Sequence, residues 1–468
     1  MPQNFLACDR EQSFLLPPDV REWLPENHLA WFVIDAVGVM DTSGFYAAYR
    51  EDGHGRAAYE PSMMLALLLY CWSRSVRSSR AIERACVEDV ACRVIAAHQQ
   101  PDHATIARFV VRHERALGEL FGEVLALCAD AGLATVGVIA IDGTKVHANA
   151  SRDRTIDYEQ IARAIVEEAI ATDAAETAVH GERRGDELPE IVATTRGREG
   201  WLRDARQRLD QQRAERAEPV PRARPPRLLE AKRRLEEDLC AEREANANFE
   251  AYHRRGVMRD GRRMSARPKP YTPPATPQGK INLSDPDSKL VHGMNGWVQG
   301  YNAQAVCNEQ HLILAAEVMT ASPDFGHLGP MLAAARTELA GAGVGEAPGV
   351  VVADAGYWHL EQMNAITGDG ITVLIPPDSS RRKNKPKRPG WDGGAYDFMR
   401  SVLASDLGGE LYKQRGQTIE PIFGDTKHNR GFTQFQRRGR SAVRTEWRLM
   451  ATTHNLRKLH QHFNRPTG

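Results

Sequence analysis

The hydrophobic period of this chain changes once, and that change limits what it can fold into. Up to about residue 133 the apolar residues recur at helical spacing. At "VGVIAID" (136–142) they become a short β-branched run, the pattern of a buried strand. Comparable runs resume only at "GYNAQAVCN" (300–308), "HLILAAEVMT" (311–320), "GVVVADAGY" (349–357) and "ITVLIPP" (371–377). Helical patterns lie between the later ones, at "HLGPMLAAARTELAGAG" and "HLEQMNAITGDG". Hairpin-like strands followed by alternating helix and strand predict an α/β domain with a mixed sheet covered by helices.

A chain of 468 residues is too long for one core. The pattern divides it into a helical region (1–133), the α/β region (134–151 plus 286–440), a charged insertion (152–285) and a C-terminal helix (441–468). In the first region "EPSMMLALLLYCWSR" enters a helix after Pro61, where a first-turn proline is tolerated. "SSRAIERACVEDVACRVIAA" spaces Ile82, Cys86, Val90 and Val94 by four, and "PDHATIARFVVRHERALGELFGEVLALCADAG" runs from a Pro/Asp cap signal to Gly132. Short helices with tight turns, the later one carrying Arg108, Arg112 and His113, fit either a helix-turn-helix unit or a plain helical bundle. The insertion is rich in Arg, Glu and Ala and is broken by "PVPRARPPR" (219–227). Leu228, Leu235, Leu239 and Phe249 trace one stripe along it. A proline-broken helical hairpin is expected there, with a charged linker as the alternative.

The totals exclude little. Lys plus Arg equals Asp plus Glu, for a formal net charge of +0, so any electrostatic case rests on local clusters. The longest apolar run, Met63 to Trp72, falls well short of the roughly 20 residues of a membrane span. The first residues, MPQNFLACDREQ, lack a basic start followed by an apolar stretch, so export is not expected. Seven scattered cysteines suit reduced thiols, and no Cys/His spacing suggests zinc.

Asp142 ends the first apolar run and Asp354 the fourth, each followed by a turn-forming glycine. Either alone reads as a turn aspartate. Together they can converge at one edge of a sheet, where open α/β folds place their sites. "ELYKQRGQTIEPIFGDTKHNRGFTQFQRRGR" supplies a third acid, Glu420, on a predicted helix capped by Thr418 with Pro421 in its first turn. Glu420, Gly424 and Lys427 share a face of that helix, and bare Gly424 would admit a close strand. Asp425 lies well round the helix. Three carboxylates without His or Cys suit Mg2+ or Mn2+. Two such ions about 4 Å apart can activate a water and stabilise a leaving oxygen in phosphodiester cleavage.

These residues resemble those of the bacterial insertion-sequence transposases of the DDE class, whose catalytic core is RNase H-like. "PDHATIARF" resembles the family's N-terminal helical domain, "IDGTKVHANAS" its first-aspartate motif, and "DPDSKL...GWVQGYNAQAV" the strands after the insertion. "ADAGYW" resembles the second-aspartate motif. The segment from Tyr412 is similar to the Tyr–Arg–Glu–Lys signature, here Tyr412, Arg415, Glu420 and Lys427. "RRGDELPE" (183–190) resembles the insertion of one subgroup. One departure is that four residues, not the common three, separate Arg415 from Glu420.

The resemblance implies a metal-binding catalytic triad of Asp142, Asp354 and Glu420 holding two Mg2+ or Mn2+ ions. Tyr412 and Arg415 would support Glu420 or nearby DNA backbone, and Lys427 would contact phosphate. Lys145 and His147 stand just beyond Asp142, where they reach substrate phosphates or face water. The basic clusters "RRKNKPKRPG" (381–390) and "FQRRGRSAVR" (435–444) are either phosphate-binding or solvated. His454, on the C-terminal amphipathic helix with Trp447, Met450 and Leu456, reads as structural. Arg108 and Arg112 belong to the candidate DNA-binding region.

The expected function is transposition: cleavage at terminal inverted repeats, then attack of the 3′-hydroxyls on target DNA. The partners would be double-stranded DNA and further copies of the chain when ends are paired, in the bacterial cytoplasm with the nucleoid and away from membranes. A nuclease of the same fold that only cuts, and a non-catalytic DNA-binding regulator derived from a transposase, are the alternatives.

Overall fold

A computed structural model describes residues 20–49, 57–172, 198–216, 220–221, 223–255, 270–293, 296–320, 324–378 and 391–465. The segments 183–190 and 381–390 lie outside the described residues. By contacts the chain divides into two compact units. One comprises Met1–Ala134, Leu339–Val344 and Leu449–Gly468; the other comprises Thr135–Glu338 and Gly345–Arg448. Among the described residues no helix is long and apolar enough to cross a membrane.

The first unit is helical: α1 (Leu29–Val39), α2 (Ser43–Tyr46), α3 (Pro61–Ser73), α4 (Ser79–Glu88), α5 (Val90–Ile95), α6 (His103–Arg112) and α7 (Glu114–Asp130). Local chemistry sets several starts. Glu60, Ser78 and Asp102 each accept from a backbone N–H in the first turn of α3, α4 and α6, with Pro61 inside the first turn of α3. Two helices expected to be continuous are broken. Asp89 closes α4 and caps α5 by accepting from Cys92 N at 3.0 Å. The break shifts the stripe, so Ile82, Cys86 and Val94 are buried while Val90 is exposed. His113 separates α6 from α7, and its ring lies buried among Phe45, Tyr49 and Phe109. That burial pushes its pKa down, so it belongs to the core of this unit and not to a DNA-reading face. Met450, His454 and Leu456 are buried.

The second unit holds the sheet: β1 (Val138–His147), β4 (Lys289–Gly293), β5 (Gly296–Asn308), β6 (Ile313–Met319), β7 (Val350–Ala353) and β8 (Thr372–Leu374). The order is β4-β5-β1-β7-β8, with β6 also paired to β5. β1 is antiparallel to β5 and parallel to β7, and β7 is parallel to β8. Ile139, Ala140 and Ile141 have no exposed surface, as a strand flanked on both edges requires. The elements α11 (Leu328–Gly341), α12 (Leu360–Gly368), α13 (Gly394–Ala404), α14 (Asp406–Gly424) and α15 (Arg440–Phe463) follow β6 or lie between and after the later strands. Fully buried Trp447 of α15 donates its indole N–H to Gln304 O at 2.8 Å, tying that helix to the middle of β5.

The insertion has a core of its own. A two-stranded sheet of β2 (Thr155–Asp157) and β3 (Lys280–Asn282) closes its base. α8 (Tyr158–Thr172), α9 (Arg198–Arg216) and α10 (Arg224–Arg254) follow from there. Ile161, Leu228, Ala231, Leu235 and Ile281 pack together, and Trp201, Phe249 and Tyr252 form a second cluster. The pairs Arg198–Glu250, Arg206–Glu242 and Arg213–Glu237 run in opposite numerical directions, so α9 and α10 form an antiparallel hairpin. Among its described residues the insertion contains a helical hairpin.

Candidate active site

Asp142 does not end its strand, as the apolar run implied. β1 continues to His147, and it is the parallel neighbour that stops. β1 and β7 are paired from Val138↔Val350 to Ile141↔Ala353. The residues after that last pair are Asp142 and Asp354, so both acids leave the parallel pairing side by side. Asp142 stays in register with Ala305 of β5. Asp354 opens a short 3-10 turn, Ala355–Tyr357, and its Oδ1 accepts from Gly356 N at 2.8 Å. It is both a turn aspartate and an acid beside Asp142.

Burial, then the neighbouring Asp354 charge, push the Asp142 carboxyl up to about 7; Arg415 and the Gly143 N–H pull it down. The third acid arrives on α14, which packs against β1, β5 and β7. The helix is longer than expected. Ser405 caps it by accepting from Gly408 N, so Thr418 is not a cap and Pro421 lies inside the helix. A π turn over Asp425–Asn429 follows directly, where the helical hydrogen-bond pattern is already disturbed. Ser405→Ala is expected to cost about 1 kcal/mol, read as a shift in the urea midpoint at constant m.

From α14, Arg415 reaches both remaining acids. Its guanidinium donates to Asp142 Oδ2 at 2.9 Å and to Glu420 Oε1 at 3.3 Å. Burial raises the Tyr412 hydroxyl pKa, and Arg415 opposes that rise. Glu420 itself is largely exposed. Among the described residues a Cβ added at Gly424 would meet nothing within 4 Å, so no described strand approaches there. Lys427, in the π turn, donates to Lys145 O at 3.0 Å and braces β1. Burial, then Lys145, lower its pKa. Lys145 points its own amine at Asp324 Oδ1, 3.3 Å away. Near the end of β1, His147 N donates to Thr433 O and Phe435 N to His147 O, fixing the return of the chain beside the strand.

The basic cluster 435–444 is largely engaged in structure. Arg440 donates to Val318 O and Asp210 O, Arg444 pairs with Glu317, and Arg438 donates to Asn149 O. In the other unit Arg108 and Arg112 are exposed, the first bonded to Thr105 Oγ1 and the second stacked over Tyr49.

Sequence reasoning missed the polar floor under the acids. Asp324 Oδ1 accepts from Asn302 Nδ2 at 2.7 Å and Gln304 Nε2 at 2.8 Å, and Gln304 Oε1 accepts from the Tyr357 hydroxyl. The visible signal was two amides, Asn302 and Gln304, spaced by two within the apolar stretch of β5. A methyl group built on Gly143 would lie 2.2 Å from Gln304 Nε2 and 2.7 Å from Asn302 Oδ1. Gly143→Ala is therefore expected to cost about 1–3 kcal/mol by overpacking and to reduce activity, measured by urea unfolding beside a cleavage assay.

The donor set fits a hard divalent cation: carboxylates only, with two crowded like charges that such a cation would neutralise. Among the described residues no group of three or more His, Cys, Asp or Glu is already gathered for a metal. Glu420 stands across Arg415 from Asp142.

Two transposase family models match this chain. A transposase domain (DUF772) covers residues 18–112, and a transposase DDE domain covers residues 393–460. The first spans α1 to α6, and the second contains Tyr412, Arg415, Glu420 and Lys427 but neither aspartate. Together they support a DDE-type transposase, with DNA as the substrate such families imply. No curated protein and no solved structure matches the chain.

Proposed function

We propose that this chain is an insertion-sequence transposase of the Tyr–Arg–Glu–Lys signature group, with an RNase H-like catalytic core. It would cleave DNA at the element's terminal inverted repeats and transfer the 3′-hydroxyl ends into target DNA. The observation that carries this reading is the register Ile141↔Ala353, after which Asp142 and Asp354 emerge together, with Arg415 linking Asp142 to Glu420. A sheet that is antiparallel through β6, β5 and β1 and parallel through β1, β7 and β8 supports the RNase H-like core.

Asp142, Asp354 and Glu420 would hold Mg2+ or Mn2+, which when bound supplies Lewis-acid polarisation of the scissile phosphate and activates the attacking hydroxyl or water. The chain's own residues prepare that site. Arg415 orients two of the acids, and Lys427 fixes the β1 backbone beyond Asp142. Exposed Arg108 and Arg112 on α6 would neutralise DNA phosphates, so binding weakens as salt rises. Two copies of the chain would pair the two ends, in the bacterial cytoplasm.

The test uses purified protein, a labelled element end, a plasmid target and Mg2+. Cleavage at the end followed by joined products is expected. Cleavage without joining would assign the nuclease alternative, and binding with neither reaction the regulator.

A further inference from the structure

The two glycines after the candidate aspartates both face a fourth acid. A Cβ on Gly143 would lie 2.8 Å from Asp324 Oδ1, and one on Gly356 would lie 3.5 Å from Asp324 Cβ and 3.6 Å from its Oδ2. Asp324 thus lies between the β1 residue after Asp142 and the turn that Asp354 opens. Its three side-chain bonds, from Asn302, Gln304 and Lys145, all fall on Oδ1.

The insertion touches described residues on either side of Asp324. On α9, the Arg203 guanidinium lies 4.8 Å over the Phe325 ring, and Asp210 Oδ2 accepts from the Thr320 hydroxyl at 2.8 Å. Arg440 donates to both Asp210 O and Val318 O, joining α9 to the end of β6. These contacts flank Asp324 on both sides in sequence, and they come from a helix absent from the sheet.

We propose that the insertion is a working part of the site. α9 fixes the Asp324 segment, and Asp324 is a positioning residue. It holds Lys145, Asn302 and Gln304 under the acid pair and adds negative charge where Asp142 and Asp354 meet a divalent cation. This rests on the cation-binding reading above.

The experiment measures Mn2+ binding to the full chain without DNA, by loss of the free-Mn2+ electron paramagnetic resonance signal, with thermal melts to verify folding. Asp142→Asn is the reference and is expected to abolish tight binding. Asp324→Asn, which keeps size and removes only the charge, is expected to weaken binding about tenfold or more. The Arg203→Ala/Asp210→Ala double variant is expected to weaken it in the same direction, and adding it to Asp324→Asn should bring little further loss. If Asp324→Asn binds Mn2+ like the wild type while Asp142→Asn does not, the positioning role fails. If only the double variant binds normally, the role of the insertion fails. If Asp142→Asn binds normally, the cation-binding reading itself fails.

Discussion

Asp142→Ala, Asp354→Ala and Glu420→Ala are each expected to lower end cleavage and strand transfer by at least about a thousandfold. The basis is geometric. Asp142 and Asp354 leave the sheet at one point, so either alone would face a divalent cation with half the charge. Glu420 lies on a different element and reaches that point through Arg415. DNA binding, followed by mobility shift, should survive all three changes, because on the proposed reading exposed arginines outside the acid cluster would supply the phosphate contacts. Arg415→Ala is a more complex case: it leaves buried Asp142 without its ion-pair partner and should cost both activity and stability. Lys427→Ala should act more weakly, through the β1 backbone. A triad variant that cleaves within about tenfold of the wild-type rate would remove that residue from the site.

The second large effect is on stability against pH. The folded protein holds the Asp142 carboxyl at about 7, against the usual 3.8 of an exposed aspartate. Between those values the native state keeps a proton that the unfolded chain has lost, so stability falls as pH rises from about 4 to 7. The full penalty is present above 7 and absent below 4. Three pH units correspond to at most about 4 kcal/mol. Asp142→Asn removes the titration, so at pH 8 its urea midpoint is expected to exceed that of the wild type, with the difference closing by pH 4. The groups facing this carboxyl set the balance: Asp354 and Asp324 raise its pKa, while Arg415 and the Gly143 N–H lower it. Mg2+ added at pH 8 should stabilise the wild type and leave Asp142→Asn unchanged. An Asn variant less stable than the wild type at pH 8 would refute this account.

Both expectations join a residue legible in the sequence to a geometry that was not. The apolar runs ending at Asp142 and Asp354 stand out because a buried strand has its own hydrophobic pattern, and β1, β5, β6, β7 and β8 appear where those runs lie. Caps such as Ser78 and Asp102 are local chemistry and equally readable. The breaks at Asp89 and His113 were missed because burial of the His113 ring and double capping by Asp89 override helical periodicity. Pro421 was misplaced for a similar reason: a proline reads as a helix start, but packing of α14 on the sheet carries the helix through it.

By itself, the sequence determined the choice of the three candidate acids, the existence of the strands that carry two of them, and the presence of helical segments between the first strand and the rest. These follow from periodicity and residue type within a few turns of chain. Only the tertiary structure decided that Ile141 and Ala353 are register partners, that Arg415 spans two acids, that Asp324 lies between two glycines, and that the insertion touches Thr320 and Phe325. Each of those depends on pairing between segments tens to hundreds of residues apart, and pairing across such distances leaves no local pattern to read.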